Sequence, residues 1–167
     1  MIYLTELLNS THKKNEFQCG HEILDNYIHR QASQDIKRHL SACFVIANKE
    51  NVIKGYYTLS NASIDQKLIP ENFKKKLPKS YTEIPTTLLG RLARDKNING
   101  ERLGETLLID ALKRSYDTSK TIGSMAVIVD PIDTNAKNFY LKYGFIELPD
   151  SKKMFKSMKT ISLFFEG

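Results

Sequence analysis

The run Gly90-Arg91-Leu92-Ala93-Arg94-Asp95, followed by Asn99-Gly100-Glu101-Arg102-Leu103-Gly104, carries the strongest single signal in this chain. It reads as a strand end, a glycine-bearing loop and the start of a helix, because Leu103, Leu107, Leu108, Ala111 and Leu112 recur at helical spacing. The amides of a first helical turn have no intrahelical acceptor, and the aligned peptide dipoles place roughly half a positive charge there. Such a loop suits a pyrophosphate. Two glycines before a helix are also what an ordinary loop into a core helix contains, so the remaining sequence has to discriminate.

On the C-terminal side, Met125-Ala126-Val127-Ile128-Val129 is short, apolar and β-branched, the pattern of a buried strand. Asp133 or Thr134 can cap a following helix whose face holds Ala136, Phe139, Tyr140 and Tyr143, with Gly144 to end it. On the N-terminal side, residues 1–10 read as a first strand. Residues 20–38 read as a helical region with Leu24, Tyr27, Ile28 and Gln31 on one side and basic residues on the other. Cys43 to Asn48 and Val52 to Ile64 are two strands joined by the polar turn Asn48-Lys49-Glu50-Asn51. Residues 66–82, rich in lysine and containing Pro70 and Pro78, are irregular apart from one helical turn around Glu71–Lys76. Thr86 to Arg94 is the central strand, and Lys153 to Ile161 mixes polar and apolar residues like a final one. The predicted order is β-α-β-β-β-α-β-α-β, an α/β (α+β) chain with a mixed central sheet and helices on both faces.

A chain of 167 residues and 19.2 kDa, 41% hydrophobic, suits one domain over residues 1–167. No run of about 18 apolar residues and no signal segment is visible, so a soluble, cytoplasmic protein without membrane contact is expected. Cys19 and Cys43 read as reduced thiols. His12, His21, His29 and His39 lack zinc spacing, so they are expected at the surface or in caps and no metal is expected. The net charge of +6 favours anionic partners. Arg30, Lys37 and Arg38 lie on or just after the first helical region, and Lys67, Lys74, Lys75, Lys76 and Lys79 crowd one loop. These are either a solvated face or a track for a phosphate backbone.

Strand, phosphate loop, helix, strand and a short helix ending Phe139-Tyr140-Leu141-Lys142-Tyr143-Gly144-Phe145, in that order, resembles the GCN5-related N-acetyltransferase family. Within it the chain is most similar to the acetyltransferase toxins of bacterial toxin–antitoxin modules and their stand-alone relatives. The similarity spans nearly the whole chain: Phe17-Gln18-Cys19-Gly20, Leu24-Asp25-Asn26-Tyr27-Ile28, Gln34-Asp35, Gly55-Tyr56-Tyr57-Thr58-Leu59-Ser60, Ile84-Pro85 with Leu88 to Ala93, and Tyr143-Gly144-Phe145.

The resemblance implies that family's fold and acetyl-CoA as the bound acyl donor. By position, the backbone of Leu92, Ala93 and Arg94 would pair with the pantetheine arm and polarise the acetyl carbonyl. Asn99, Gly100, Glu101, Arg102, Leu103 and Gly104, with Glu105 and Thr106 of the first turn, would take the pyrophosphate. The family pattern here is Gln/Arg-x-x-Gly-x-Gly/Ala, and Asn99 and Arg102 depart from it. A side chain at 102 either obstructs the pyrophosphate or adds a guanidinium contact to it. The resemblance makes Tyr140 the general acid for the leaving thiolate, since a phenol with a pKa near about 10 stays protonated at neutral pH. The alternative is a Tyr140 that only packs.

No general base stands out, which bears on the acceptor. An α-amine with pKa about 7.8 is roughly 14% neutral at pH 7, against about 0.04% for a lysine amine. An aminoacyl-tRNA offers such an amine on a polyanion, so the leading expectation is a toxin that acetylates aminoacyl-tRNA and blocks translation. A stand-alone acetyltransferase of small or protein amines, and a non-catalytic acetyl-CoA binder, are the alternatives. The resemblance also implies a ribbon-helix-helix antitoxin as partner and leaves a homodimer open.

Overall fold

The computed structural model describes residues 3–98 and 102–166. Its elements are β1 (Glu6–Leu7), α1 (Glu22–Asn26), a π-helical turn (Tyr27–Gln31), α2 (Ala32–Lys37), β2 (Ala42–Ala47), β3 (Ile53–Asp65), α3 (Glu71–Lys74), β4 (Glu83–Arg94), α4 (Leu103–Ser119), β5 (Ala126–Val129), α5 (Thr134–Lys142), β6 (Ile146–Glu147), β7 (Met154–Ser157) and α6 (Met158–Glu166). Strands follow the order β1-β2-β3-β4-β5-β7-β6 in a mixed, mostly antiparallel sheet. The described residues divide into two compact units, one drawn from Met1–Ser60 and Leu89–Arg114 and the other from Asn61–Leu88 and Ser115–Gly167.

In the first unit β2 pairs antiparallel with β1 and β3. The hairpin turns where the sequence predicts: the Asn48 side chain accepts from the amides of Glu50 at 3.0 Å and Val52 at 2.9 Å, and Asn51 takes φ 62°. Phe17, Tyr27, Ile28, Cys43, Val45, Ile53, Tyr56 and Ala93 form the core. Leu107 and Leu108 of α4 are fully buried, worth about 1.5–3 kcal/mol each. Gly55 permits their approach, since a Cβ there would lie 2.8 Å from Leu107 Cδ1 and 3.4 Å from the Ala93 carbonyl.

In the second unit β5 is parallel to β4 through Thr87↔Val127 and Leu88↔Ile128, and antiparallel to β7. Ile64, Ile84, Ala126, Ile128, Leu148 and Phe155 form its core. The helical turn expected near Glu71 is present as α3.

Three expectations need correction. The first strand is two residues long, not ten, because Leu4 gives its amide to the Asp110 carboxylate at 2.7 Å instead of to a neighbouring strand. The final strand stops at Ser157: the Ser157 hydroxyl accepts from the Thr160 amide at 3.2 Å, and Met158 and Ile161 are buried at helical spacing in α6. A short β6, absent from the predicted order, pairs with β7.

Candidate active site

β4 ends at Arg94 and the chain turns on Asp95. The buried Asp95 carboxylate accepts from the amides of Asn97 at 2.8 Å and Gln18 at 3.3 Å, and the Asp95 amide donates to the Lys54 carbonyl at 2.8 Å. The loop therefore leaves the strand in a set direction. The Arg94 guanidinium adds a bond to the Ile98 carbonyl at 3.0 Å. Ala93 is buried, Leu92 half-buried and Arg94 exposed, so the side chains of the first two contribute to packing.

Asn99, Gly100 and Glu101 lie outside the described residues. The first bond of α4 runs from the Thr106 amide to the Arg102 carbonyl at 2.9 Å. Among the described residues the amides of Leu103, Gly104 and Glu105 have no acceptor, and they stand at the positive end of a 17-residue dipole. The Thr106 amide, expected to join them, is already spent. Arg102 has a largely solvated side chain, 86% exposed, with Nη1 3.8 Å from the Glu105 carboxylate. A cavity of about 440 Å³ lies against this loop, lined among others by Asn48, Lys54, Asn97 and Leu103. Its shape and its cation suit a phosphorylated ligand, and neither Lys54 nor Asn97 stands out in the sequence.

Tyr140 sits near the end of α5. The helix starts at Asp133, whose carboxylate accepts from the Ala136 amide at 2.7 Å. It ends in a Schellman arrangement: Gly144 takes φ 83°, the Phe145 amide returns to the Tyr140 carbonyl at 3.1 Å, and the Gly144 amide returns to Leu141 at 3.0 Å. The Tyr140 ring is 8% exposed and packs edge-on against Phe139 and Phe145, with centroids 5.3 and 5.2 Å away. Its hydroxyl has no hydrogen-bond partner among the described residues. Burial pushes its pKa well above the usual phenol range, so the group is held protonated.

In the first unit Arg30 lies on the π-helical turn, at a surface cavity of about 430 Å³ lined by Asn26, Tyr27, Arg30, Gln31 and Gln34. The Tyr27 hydroxyl donates to Asp35 at 3.0 Å, and the Arg91 guanidinium stacks 3.6 Å over the Tyr27 ring. Burial and the Asp35 carboxylate push the Tyr27 phenol up to about 12. Lys37 and Arg38 are exposed on the same helical region. Lys75 and Lys76 are exposed in the second unit, while Lys74 is half-buried with Nζ 3.5 Å from Glu71. Sequence reasoning missed Arg91 and Asp95, and only the latter carries a local signal, its Asp-x-Asn spacing.

Of the two expected places for a histidine, surface or cap, His12 takes the cap. It is buried, with Nδ1 accepting from the Asn9 amide at 3.0 Å and Nε2 2.7 Å from Glu6. Both cysteines are free, and among the described residues no cluster of metal-ligating groups occurs.

No family model matches the chain. It is 31% identical over 129 residues, 77% of its length and 75% of the relative's, to a tRNA-acetylating toxin of Mycobacterium tuberculosis (strain ATCC 25618 / H37Rv). Among solved structures it is similar to a tyrosine-to-phenylalanine mutant of KacT, with TM-score 0.89 and 28% identity over 96% of this chain and 98% of that one. AtaT complexed with acetyl-methionyl-tRNAfMet matches with TM-score 0.88 and 27% identity over the same shares. AtaTR bound with acetyl-CoA matches with TM-score 0.84 and 26% identity over 96% of each chain. The AtaT–AtaR complex bound to DNA matches with TM-score 0.78 and 26% identity over 96% of this chain and 98% of that one.

Proposed function

The chain belongs to the acetyltransferase toxins of bacterial toxin–antitoxin modules, within the GCN5-related N-acetyltransferases, and from this we propose that it acetylates the α-amine of an aminoacyl-tRNA, using acetyl-CoA, and so blocks translation. The observation that carries the reading is the match, over nearly the full length of both chains, to a toxin solved with an acetylated aminoacyl-tRNA.

When bound, acetyl-CoA supplies an activated thioester carbonyl. The amides of Leu103, Gly104 and Glu105 hold its pyrophosphate, and the backbone of Leu92, Ala93 and Arg94 pairs with the pantetheine arm and donates to the acetyl oxygen. The Arg102 side chain is solvated and adds a long-range attraction to phosphate. The acceptor α-amine, roughly 14% neutral at pH 7, needs no strong base. As the new N–C bond forms and the C–S bond breaks, Tyr140 gives its proton to the departing sulfur and regains one from solvent, while the amine releases its own to water.

Arg30, Lys37 and Arg38, and separately Lys74, Lys75 and Lys76, supply cations for the tRNA backbone. A tRNA acceptor places the work in the cytoplasm, and among the described residues no helix is long and apolar enough to cross a membrane. The AtaT–AtaR complex bound to DNA supports an antitoxin partner, and the family resemblance implies that it is of the ribbon-helix-helix class. The test is acetyl transfer from labelled acetyl-CoA offered charged tRNA, polyamines and peptides in parallel. Label on the aminoacyl group of tRNA is expected; label only on polyamine or peptide overturns the acceptor assignment.

A further inference from the structure

Lys156, on β7, closes a backbone cap with its side chain. Its Nζ donates to the Tyr143 carbonyl at 2.7 Å. Tyr143 is the C-cap of α5, just before the left-handed Gly144, and Lys156 Nζ lies 2.7 Å from where a Cβ on Gly144 would stand. The Schellman bonds already use the Tyr140 and Leu141 carbonyls, so Lys156 satisfies a further orphan carbonyl of the helix end and places its charge at the negative end of the dipole. The half-buried position carries a cost for that charge, since burial lowers the lysine pKa.

Tyr140 is the residue whose position this cap controls. Its carbonyl receives the Phe145 amide, its ring meets the Phe145 ring, and Phe145 follows Gly144 directly. We propose that Lys156 is a positioning residue for the Tyr140 hydroxyl: by fastening the end of α5 to β7, it fixes where the acid stands. The proposal rests on the assignment of Tyr140 as the acid.

The experiment is a double-mutant cycle in turnover. Lys156→Met keeps the stem and removes the donor. It should lower kcat about tenfold, the usual price of a slightly misplaced group, and leave the acetyl-CoA dissociation constant unchanged. Lys156→Arg, which retains a donor, should recover part of the loss. In a Tyr140→Phe background the same Lys156→Met change should alter kcat within about twofold, because the hydroxyl it positions is gone. A slow Tyr140→Phe protein that loses the full factor again on Lys156→Met overturns the positioning role alone. A Tyr140→Phe protein as fast as the parent overturns the acid assignment, and the positioning role with it. Wild-type kcat for Lys156→Met also overturns the proposal. If Lys156→Met does not fold, Lys156→Gln, shorter and uncharged but still polar at a half-buried site, replaces it in both backgrounds with the same expected coupling.

Discussion

The start of α4 and the end of α5 do their work by different means. At α4 the proposed binding groups are backbone amides, supplied by any residue that lets the helix begin at Leu103. At α5 the proposed acid is one hydroxyl on Tyr140, beside the Gly144 turn and the Phe139 and Phe145 rings, with Lys156 bound at the helix end. On the proposed reading, departures from the family's pattern at Asn99 and Arg102 would leave phosphate binding intact, whereas the α5 end would have no equivalent freedom. A backbone site is set by geometry, and a side-chain site by identity.

The largest expected effect tests the α5 half of that contrast. Tyr140→Phe keeps the ring and its packing, so melting temperature and acetyl-CoA affinity should stay near the parent values. Turnover should fall about 100-fold or more, the usual worth of a positioned acid. Steady-state kinetics beside calorimetric titration would check this. Turnover within a few-fold of the parent would return Tyr140 to a packing role and erase the contrast.

A second test concerns the acceptor. Replacing Lys74, Lys75 and Lys76 together with Ala should flatten the salt dependence of tRNA affinity by up to about three units of slope. Lys74 is half-buried beside Glu71, so its share should be the smallest. Filter binding across a salt series measures it. An unchanged slope makes the segment a solvated face.

The pH profile sharpens the acid assignment further. Burial raises the Tyr140 pKa, so the protonated, working form persists above the ordinary phenol range and imposes no fall in rate through the neutral and mildly alkaline region. The rate should instead rise about sevenfold from pH 7 to 9 as an α-amine with pKa about 7.8 loses its proton. A bell with its descending limb below pH 9 would contradict the buried phenol as acid.

Much of this was legible in the sequence, for local reasons. The start of α4, the β5 run, the Asp133 cap and the Gly144 end are each written in a few adjacent residues, and the structure places them where the sequence predicts. The misreadings occur where one residue serves two elements or where distant residues compete. Ser157 closes β7 and caps α6, so Lys153 to Ile161 alternates like a strand for only part of its length. The N-terminal segment is diverted by Asp110, which accepts from the Leu4 amide, Thr5 and Tyr57, a network no local pattern announces. Arg91 over Tyr27 and Lys156 on Tyr143 are likewise pairings the fold creates.

The smallest expected effect probes the α4 half of the contrast. Arg102 is solvated and pairs loosely with Glu105 at 3.8 Å, so it neither fills the loop nor anchors the helix. If backbone amides carry the pyrophosphate, Arg102→Ala should weaken acetyl-CoA by only about two- to fivefold, and the difference should shrink as salt screens the guanidinium. Arg102→Gly should behave like Ala rather than tighten binding, because no side chain at 102 stands in the way. Calorimetry at low and high salt separates the outcomes. A loss of a hundredfold that persists in high salt would mean that Arg102 is a buried phosphate ligand when acetyl-CoA binds. The α4 end would then depend on side-chain identity as strictly as the α5 end does.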